Sequence, residues 1–208
     1  WYLCRLQMAR VRLGLSAWLA GTGFCVRTDV LRRIGWRVDT LTDDVEYTCR
    51  LLLAGERVAF APGAVVYDQK PVRLVDSLRQ RCRWIRGQTQ VSLRYIPCLV
   101  VAAGRFWWQA RIGQALQCFD AGMWVPMHLV IFVSAVLSFC STGCGYFVSV
   151  FLSAPVFMVL SLLAERVRLR RAWTFLVTAG AFFATWWPVT AYGVVTCANK
   201  AWWRTPHF

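Results

Sequence analysis

The residues best suited to chemistry lie between Thr40 and Trp84. An acid cluster, Thr42-Asp43-Asp44-Val45-Glu46, stands near one end and Gln80-Arg81-Cys82-Arg83-Trp84 at the other. Carboxylates this close repel one another, so one of them is expected to hold its proton more tightly and to serve as a general base. The same residues also suit a helix start. Thr40-Leu41-Thr42-Asp43 fits a capping box, and acids in a first turn complement the helix dipole. Both readings stand on the residues alone. On a helix, Gln80, Arg83 and Trp84 project to one side, at i, i+3 and i+4. A guanidinium there suits a phosphate. The amide suits hydroxyls, and the indole face suits a sugar ring. A helix lying in a bilayer interface, with snorkelling Arg and a Trp at headgroup level, carries the same residue types.

The flanking sequence predicts the elements that would hold these groups. Residues 1–13 have helical apolar spacing. Residues 15–20 and 24–26 read as extended runs bent around Gly21-Thr22-Gly23. A short helix over 28–35 is expected, capped by Thr28 and stopped by Gly35. A second is expected over 42–54, with its apolar face at Val45, Cys49, Leu52 and Leu53. Residues 57–61 and 64–67 read as short strands about Pro62-Gly63. From Pro71 a long amphipathic helix begins, with many Arg beside an apolar stripe, the composition of a helix on a membrane surface. Residues 91–119 read as a further interfacial segment. Three apolar stretches, about 121–139, 147–163 and 173–195, approach the ~20 residues of a membrane crossing. Trp186-Trp187-Pro188 is a potential break in the third.

Composition narrows the classes. The 208 residues are 58% hydrophobic and 16% charged, too apolar for an ordinary soluble domain. The formal net charge is +14. No zinc-finger or RNA-binding signature accompanies it, and the cations lie on helices leading into the apolar stretches, so nucleic acid is not the expected partner. The Arg cluster at 165–171 places that turn, and with it the acid cluster, on the cytoplasmic side. The nine Cys include no C-x-x-C pair and no zinc-like set, which fits small apolar fillers. The chain opens on Trp1-Tyr2-Leu3 in what reads as the middle of a domain, so a preceding N-terminal part is expected.

Gly21-Thr22-Gly23, then Thr42-Asp43-Asp44, then Q-x-x-R-W ahead of apolar stretches resembles the family 2 glycosyltransferases of the processive type, which make cellulose, chitin, hyaluronan and poly-N-acetylglucosamine. Trp203-Arg204-Thr205-Pro206 resembles a W-x-T element that some of them carry. The resemblance implies that Asp44, within a T-D-D in place of the usual T-E-D, is the general base, supported by Thr42, Asp43 and Glu46. It implies that Trp84, Gln80, Gly21, Thr22 and Gly23 face the acceptor, and that Arg83 and Arg81 neutralise the leaving diphosphate. The third residue of Gly21-Thr22-Gly23 departs from the usual pattern. The D-x-D motif that holds Mg²⁺ or Mn²⁺ in the family does not occur here. Metal ligands are therefore expected mostly outside this stretch, with none assigned within it, and the stretch alone is expected to be inactive.

The expected fold is α/β plus membrane helices. Residues 1–70 form the C-terminal part of a nucleotide-diphospho-sugar transferase (GT-A-like) domain, 71–119 amphipathic interface helices, and 120–208 a transmembrane region. The expected partners are a nucleotide-diphospho-sugar donor, a polysaccharide or glycolipid acceptor and the bilayer, with the catalytic part on the cytoplasmic side of the plasma membrane. Two other readings stand beside it: a transferase adding one sugar to a lipid carrier, and a non-catalytic membrane anchor or transport subunit.

Overall fold

The computed structural model describes residues 2–143, isolated positions between 145 and 163, and residues 173–201. The described elements are helical. They run α1 (Tyr2–Arg12), α2 (Thr28–Ile34), α3 (Asp43–Leu53), α4 (Leu74–Trp108), α5 (Ile112–Thr142), α6 (Trp173–Ala184) and α7 (Trp186–Val195). The second expected span coincides with the sparsely described positions. The Arg cluster at 165–171 and Trp203-Arg204-Thr205-Pro206 lie outside the described residues.

α4 is the spine, packing against α3, α5 and α7. Its 35 residues correspond to about 52 Å at 1.5 Å per residue. It starts at Leu74, three residues after Pro71, and runs through Pro97, which the sequence reading assigned to a separate segment. The break comes at residues 109–111, where Ala110 has φ 56°. The backbone N–H of Arg111 returns to the Phe106 carbonyl (2.8 Å). α5 then folds back along α4.

α3 is buried on nearly all sides because it serves two cores. Cys49 and Leu52 face a cluster with Val91, Leu99, Ala102 and Phe106 of α4 and Ala115, Cys118 and Ala121 of α5. Tyr47 and Leu51 face a second cluster with Leu19 and with Val30 of α2. Each fully buried aliphatic side chain contributes about 1.5–3 kcal/mol.

The expected strands are absent among the described residues. Residues 15–20 and 57–61 do lie side by side, joined by Ala17 N–H to the Val58 carbonyl (2.9 Å) and Val58 N–H to Ser16 Oγ (2.8 Å). One backbone bond does not make a ladder, and residues 61–70 are exposed throughout. The α/β expectation is thus met in its helices only.

Two capping expectations also change. Arg27, not Thr28, is the residue before α2, and Thr42 precedes α3 without a side-chain cap bond. The capping box at Thr40 does not form. Glu46, one turn into α3, instead takes the N–H groups of Asp39 (3.0 Å) and Thr40 (2.9 Å).

Among the described residues no helix is long and apolar enough to cross a membrane. The third expected span is two helices, broken at Thr185 immediately before Trp186-Trp187-Pro188. A proline disfavours helical geometry in the residue before it, and a break nearby relieves this. The first span is the continuation of α5, whose opening turns are polar. There Gln117 is buried, and Asp120 pairs with Arg10 (2.7 Å). Large apolar side chains nevertheless face outward: Val100, Val101, Trp107 and Trp108 on α4, and Val130, Val133, Val136 and Leu137 on α5.

α7 sits unusually close to α4. A Cβ on Gly193 would stand 2.6 Å from Cγ2 of Ile85. Gly193→Ala is therefore expected to cost about 1–3 kcal/mol through overpacking, read as a lower denaturation midpoint. An unchanged midpoint would show that α7 is not held at this distance.

Candidate functional site

The first turn of α3 carries the acid cluster, and its three carboxylates have different surroundings. Asp43 is exposed. Glu46 is 1% exposed and fully occupied. Besides the two backbone N–H groups, it accepts from the Tyr95 hydroxyl (2.9 Å). Arg94 lies 3.8 Å away. Burial, followed by the bond to Glu46, pushes the Tyr95 hydroxyl up to about 12. Glu46 is thus a structural carboxylate that folds residues 39–42 over the helix start.

Asp44 is set apart from both. One oxygen accepts its neighbour's N–H, Val45 (2.9 Å). The other faces Gly21, where a Cβ would stand 3.4 Å from it. Burial raises the Asp44 carboxyl above its ordinary value of 3.8, and the Asp43 charge adds to this. Bonds from the backbone of Val45 and Gly21 act in the opposite direction. Thr48 brings Gly21 to this position. Its hydroxyl donates to the Asp44 carbonyl (2.8 Å) and accepts the Leu19 N–H (3.1 Å), pinning the chain two residues before the glycine to the first turn of α3. Thr22 and Gly23 lie on the exposed bend beyond, and a Cβ on Gly23 would meet Val66 at 3.3 Å.

α4 meets this loop through one face. Arg83 donates to the Leu41 carbonyl (2.9 Å). Gln90 accepts the Leu41 N–H (3.2 Å). Between them Gly87 lets Thr42 settle onto the helix, since a Cβ there would stand 2.6 Å from Thr42 Cγ2 and 2.8 Å from its backbone nitrogen. Thr42 is buried, and its Oγ1 has no partner. Gln80 and Trp84 are half-buried on the adjoining turn.

Arg81 has different neighbours. It is 2% exposed, donates to Thr185 Oγ1 (2.8 Å) and lies over the rings of Phe182 (4.5 Å) and Trp186 (5.1 Å). Burial lowers its pKa. The structure thus brings Gly21 to Asp44 and Arg83 to the loop before Asp43, while Arg81 engages α6 and α7.

Sequence reasoning missed Gly87, Gln90 and Thr48. Gly87 alone left a signal. A glycine inside a helix costs about 1 kcal/mol relative to alanine and therefore asks for a reason.

A depression of ≈ 230 Å³ is lined by Arg37, Asp39, Glu46, Arg50, Arg94 and Tyr95. It lies on the Glu46 side of the loop, and none of Asp44, Gln80, Arg83 or Trp84 lines it. Its charges are matched internally, with Arg94 bound to Asp39 (2.8 Å), so it reads as a structural ion-pair cluster. No group of three or more His, Cys, Asp or Glu among the described residues is placed to hold a metal. With Glu46 fully occupied, the acid cluster does not fit a divalent-ion site.

Two outcomes follow for the site. Gly87→Ala is expected to push Thr42 off α4 and to quicken amide exchange over residues 39–46. Unchanged protection there would refute the close seating. For Asp44 the folded-state pKa lies above the unfolded one. Stability is then full below about pH 3.8 and declines as pH rises through the folded value. Asp44→Asn is expected to remove this decline and to be the more stable form at pH 7, as urea titrations at several pH values would reveal. A parallel pH dependence in the two forms would contradict the desolvated carboxylate.

Comparison with known proteins agrees on the class. Residues 2–199 match the family model described as Glycosyl transferase family group 2. An 81-residue stretch is 33% identical to the "Probable glycosyltransferase YdaM" of Bacillus subtilis (strain 168), covering 38% of this chain and 19% of that protein. The chain thus spans only a small part of the relative it matches. No solved structure matches the chain.

Proposed function

The chain belongs to glycosyl transferase family group 2, and from that premise we propose that it forms the acceptor half of a membrane-bound inverting glycosyltransferase. The enzyme transfers a sugar from a nucleotide-diphospho-sugar to a growing polysaccharide. The observation that carries the reading is the setting of Asp44: partly desolvated, facing Gly21, with its carboxyl raised above the ordinary range. A base whose pKa sits nearer neutrality removes a proton from a hydroxyl more effectively.

In the proposed step the acceptor hydroxyl oxygen attacks the anomeric carbon, and its proton passes to Asp44. The bond from that carbon to the diphosphate oxygen breaks, and the nucleoside diphosphate leaves with the electron pair. Attack opposite the leaving group inverts the centre. In this reading Trp84 stacks on the acceptor sugar beside Gln80, and Arg83 neutralises the developing charge. Arg83 also fixes the loop that carries the base, so its charge is held in place before reaction, as electrostatic catalysis requires. Arg81, seated among Thr185, Phe182 and Trp186, acts by holding α4 in register. The divalent ion expected for the whole enzyme would find its ligands mostly outside this stretch.

Placement at a membrane surface is supported by the outward apolar side chains of α4 and α5 and by the exposed Trp107 and Trp108 beside Arg105 and Arg111; the cytoplasmic side is the reading of the Arg-rich sequence at 165–171. Indoles with flanking guanidinium groups are characteristic of the headgroup level.

Asp44→Asn in the whole enzyme is expected to lower turnover about 10²- to 10⁴-fold with donor KM little changed. Trp84→Ala is expected to raise acceptor KM. Normal polymer synthesis by Asp44→Asn would sink the base assignment, and products extended by a single sugar would replace the polymer reading with transfer to a lipid carrier.

A further inference from the structure

We propose that Gln90 is a positioning residue that couples the turn after α7 to the loop bearing the base. The proposal rests on Asp44 being that base. One side-chain amide spans the two segments. Its Oε1 accepts the Leu41 N–H (3.2 Å), and its Nε2 donates to the Cys197 carbonyl (2.6 Å). A backbone N–H only donates and a carbonyl only accepts, so one orientation of the amide satisfies both, and no other uncharged side chain of this length offers both functions.

The surroundings make this bridge stiff. On the loop side, Arg83 holds the Leu41 carbonyl while Gln90 holds its N–H, with Thr42 seated against Gly87 between them. Asp44 is three residues beyond Leu41. On the other side, Arg86 donates to Thr196 Oγ1 (2.9 Å) and lies over the Tyr192 ring (5.4 Å). Gly193 abuts Ile85 one turn earlier. A movement of the turn at 196–199 relative to α4 therefore pulls on the Gln90 amide, and through it on the peptide that leads into Thr42, Asp43 and Asp44.

The coupling would let whatever engages the chain beyond α7 change the reach of the Asp44 carboxylate without touching it. Misplacing a reacting group by about 1 Å costs on the order of 10²-fold in rate, so a small displacement suffices.

The test uses the whole enzyme in its membrane, with Gln90→Met and Gln90→Glu. Methionine removes both bonds at similar volume. Glutamate keeps an acceptor for Leu41 but sets an oxygen against the Cys197 carbonyl. Gln90→Met is expected to lower kcat by about 10- to 100-fold with donor KM within twofold, and to quicken amide exchange in both 39–44 and 190–200 while α5 stays protected. Gln90→Glu is expected to quicken exchange in 190–200 alone, with a smaller loss of kcat. Unchanged kcat in Gln90→Met, exchange confined to one of the two segments in that variant, or equal losses in the two variants would each overturn the coupling. Asp44→Asn measured alongside separates the two ideas. If it stays active the base reading fails, while the exchange pattern of Gln90→Met still reports on the bridge.

Discussion

A carboxylate stripped of water is tolerable only when its oxygens are filled, and Glu46 is filled by two backbone N–H groups and a phenol. That requirement shapes everything near it. Residues 39–42 must curl over the first turn of α3 to deliver the N–H groups of Asp39 and Thr40, and α4 must lie close enough to deliver Tyr95. Once the loop is folded that way, Leu41 and Thr42 face α4, and Asp44 points away from Glu46 toward the bend at Gly21. A single buried charge therefore sets the geometry of a neighbour two residues away.

The acid cluster shows how environment separates chemically similar groups. Asp43 stays in water, Glu46 is enclosed and bonded, and Asp44 is partly enclosed and only partly bonded. At Asp44 the carboxyl is raised above its ordinary value, because desolvation there is not offset by a full set of donors. Burial is the leading cause at Asp44, and the Asp43 charge ranks below it.

α4 reads as two helices in one. Its first half is gripped on two sides. Arg83, Gly87 and Gln90 hold the loop before α3, while Arg81, Ile85 and Arg86 hold α7. Its second half packs Leu99, Ala102 and Phe106 on α5 and turns Val100, Val101, Trp107 and Trp108 outward. The polar half thus anchors the loop before α3 and α7, and the apolar half leaves large side chains facing outward.

The helices over 2–12, 28–34 and 43–53, the glycine stop at Gly35, and the spacing of the motifs were legible in the chain itself, because helical periodicity and glycine at positive φ (72°) are local properties. The extent of α4 was not, since Pro97 signals a break that packing against α5 overrides. Nor were the strands, because a ladder depends on partners that no local pattern specifies. The separate fates of Asp44 and Glu46 were equally beyond reach, as were the pairings of Gln90 with Leu41 and Cys197, 49 and 107 residues away. Residue type and spacing determined which groups could do chemistry. Desolvation and hydrogen-bond saturation, which exist only once distant segments close around a side chain, decided which carboxylate is bonded on all sides and which is left partly bonded.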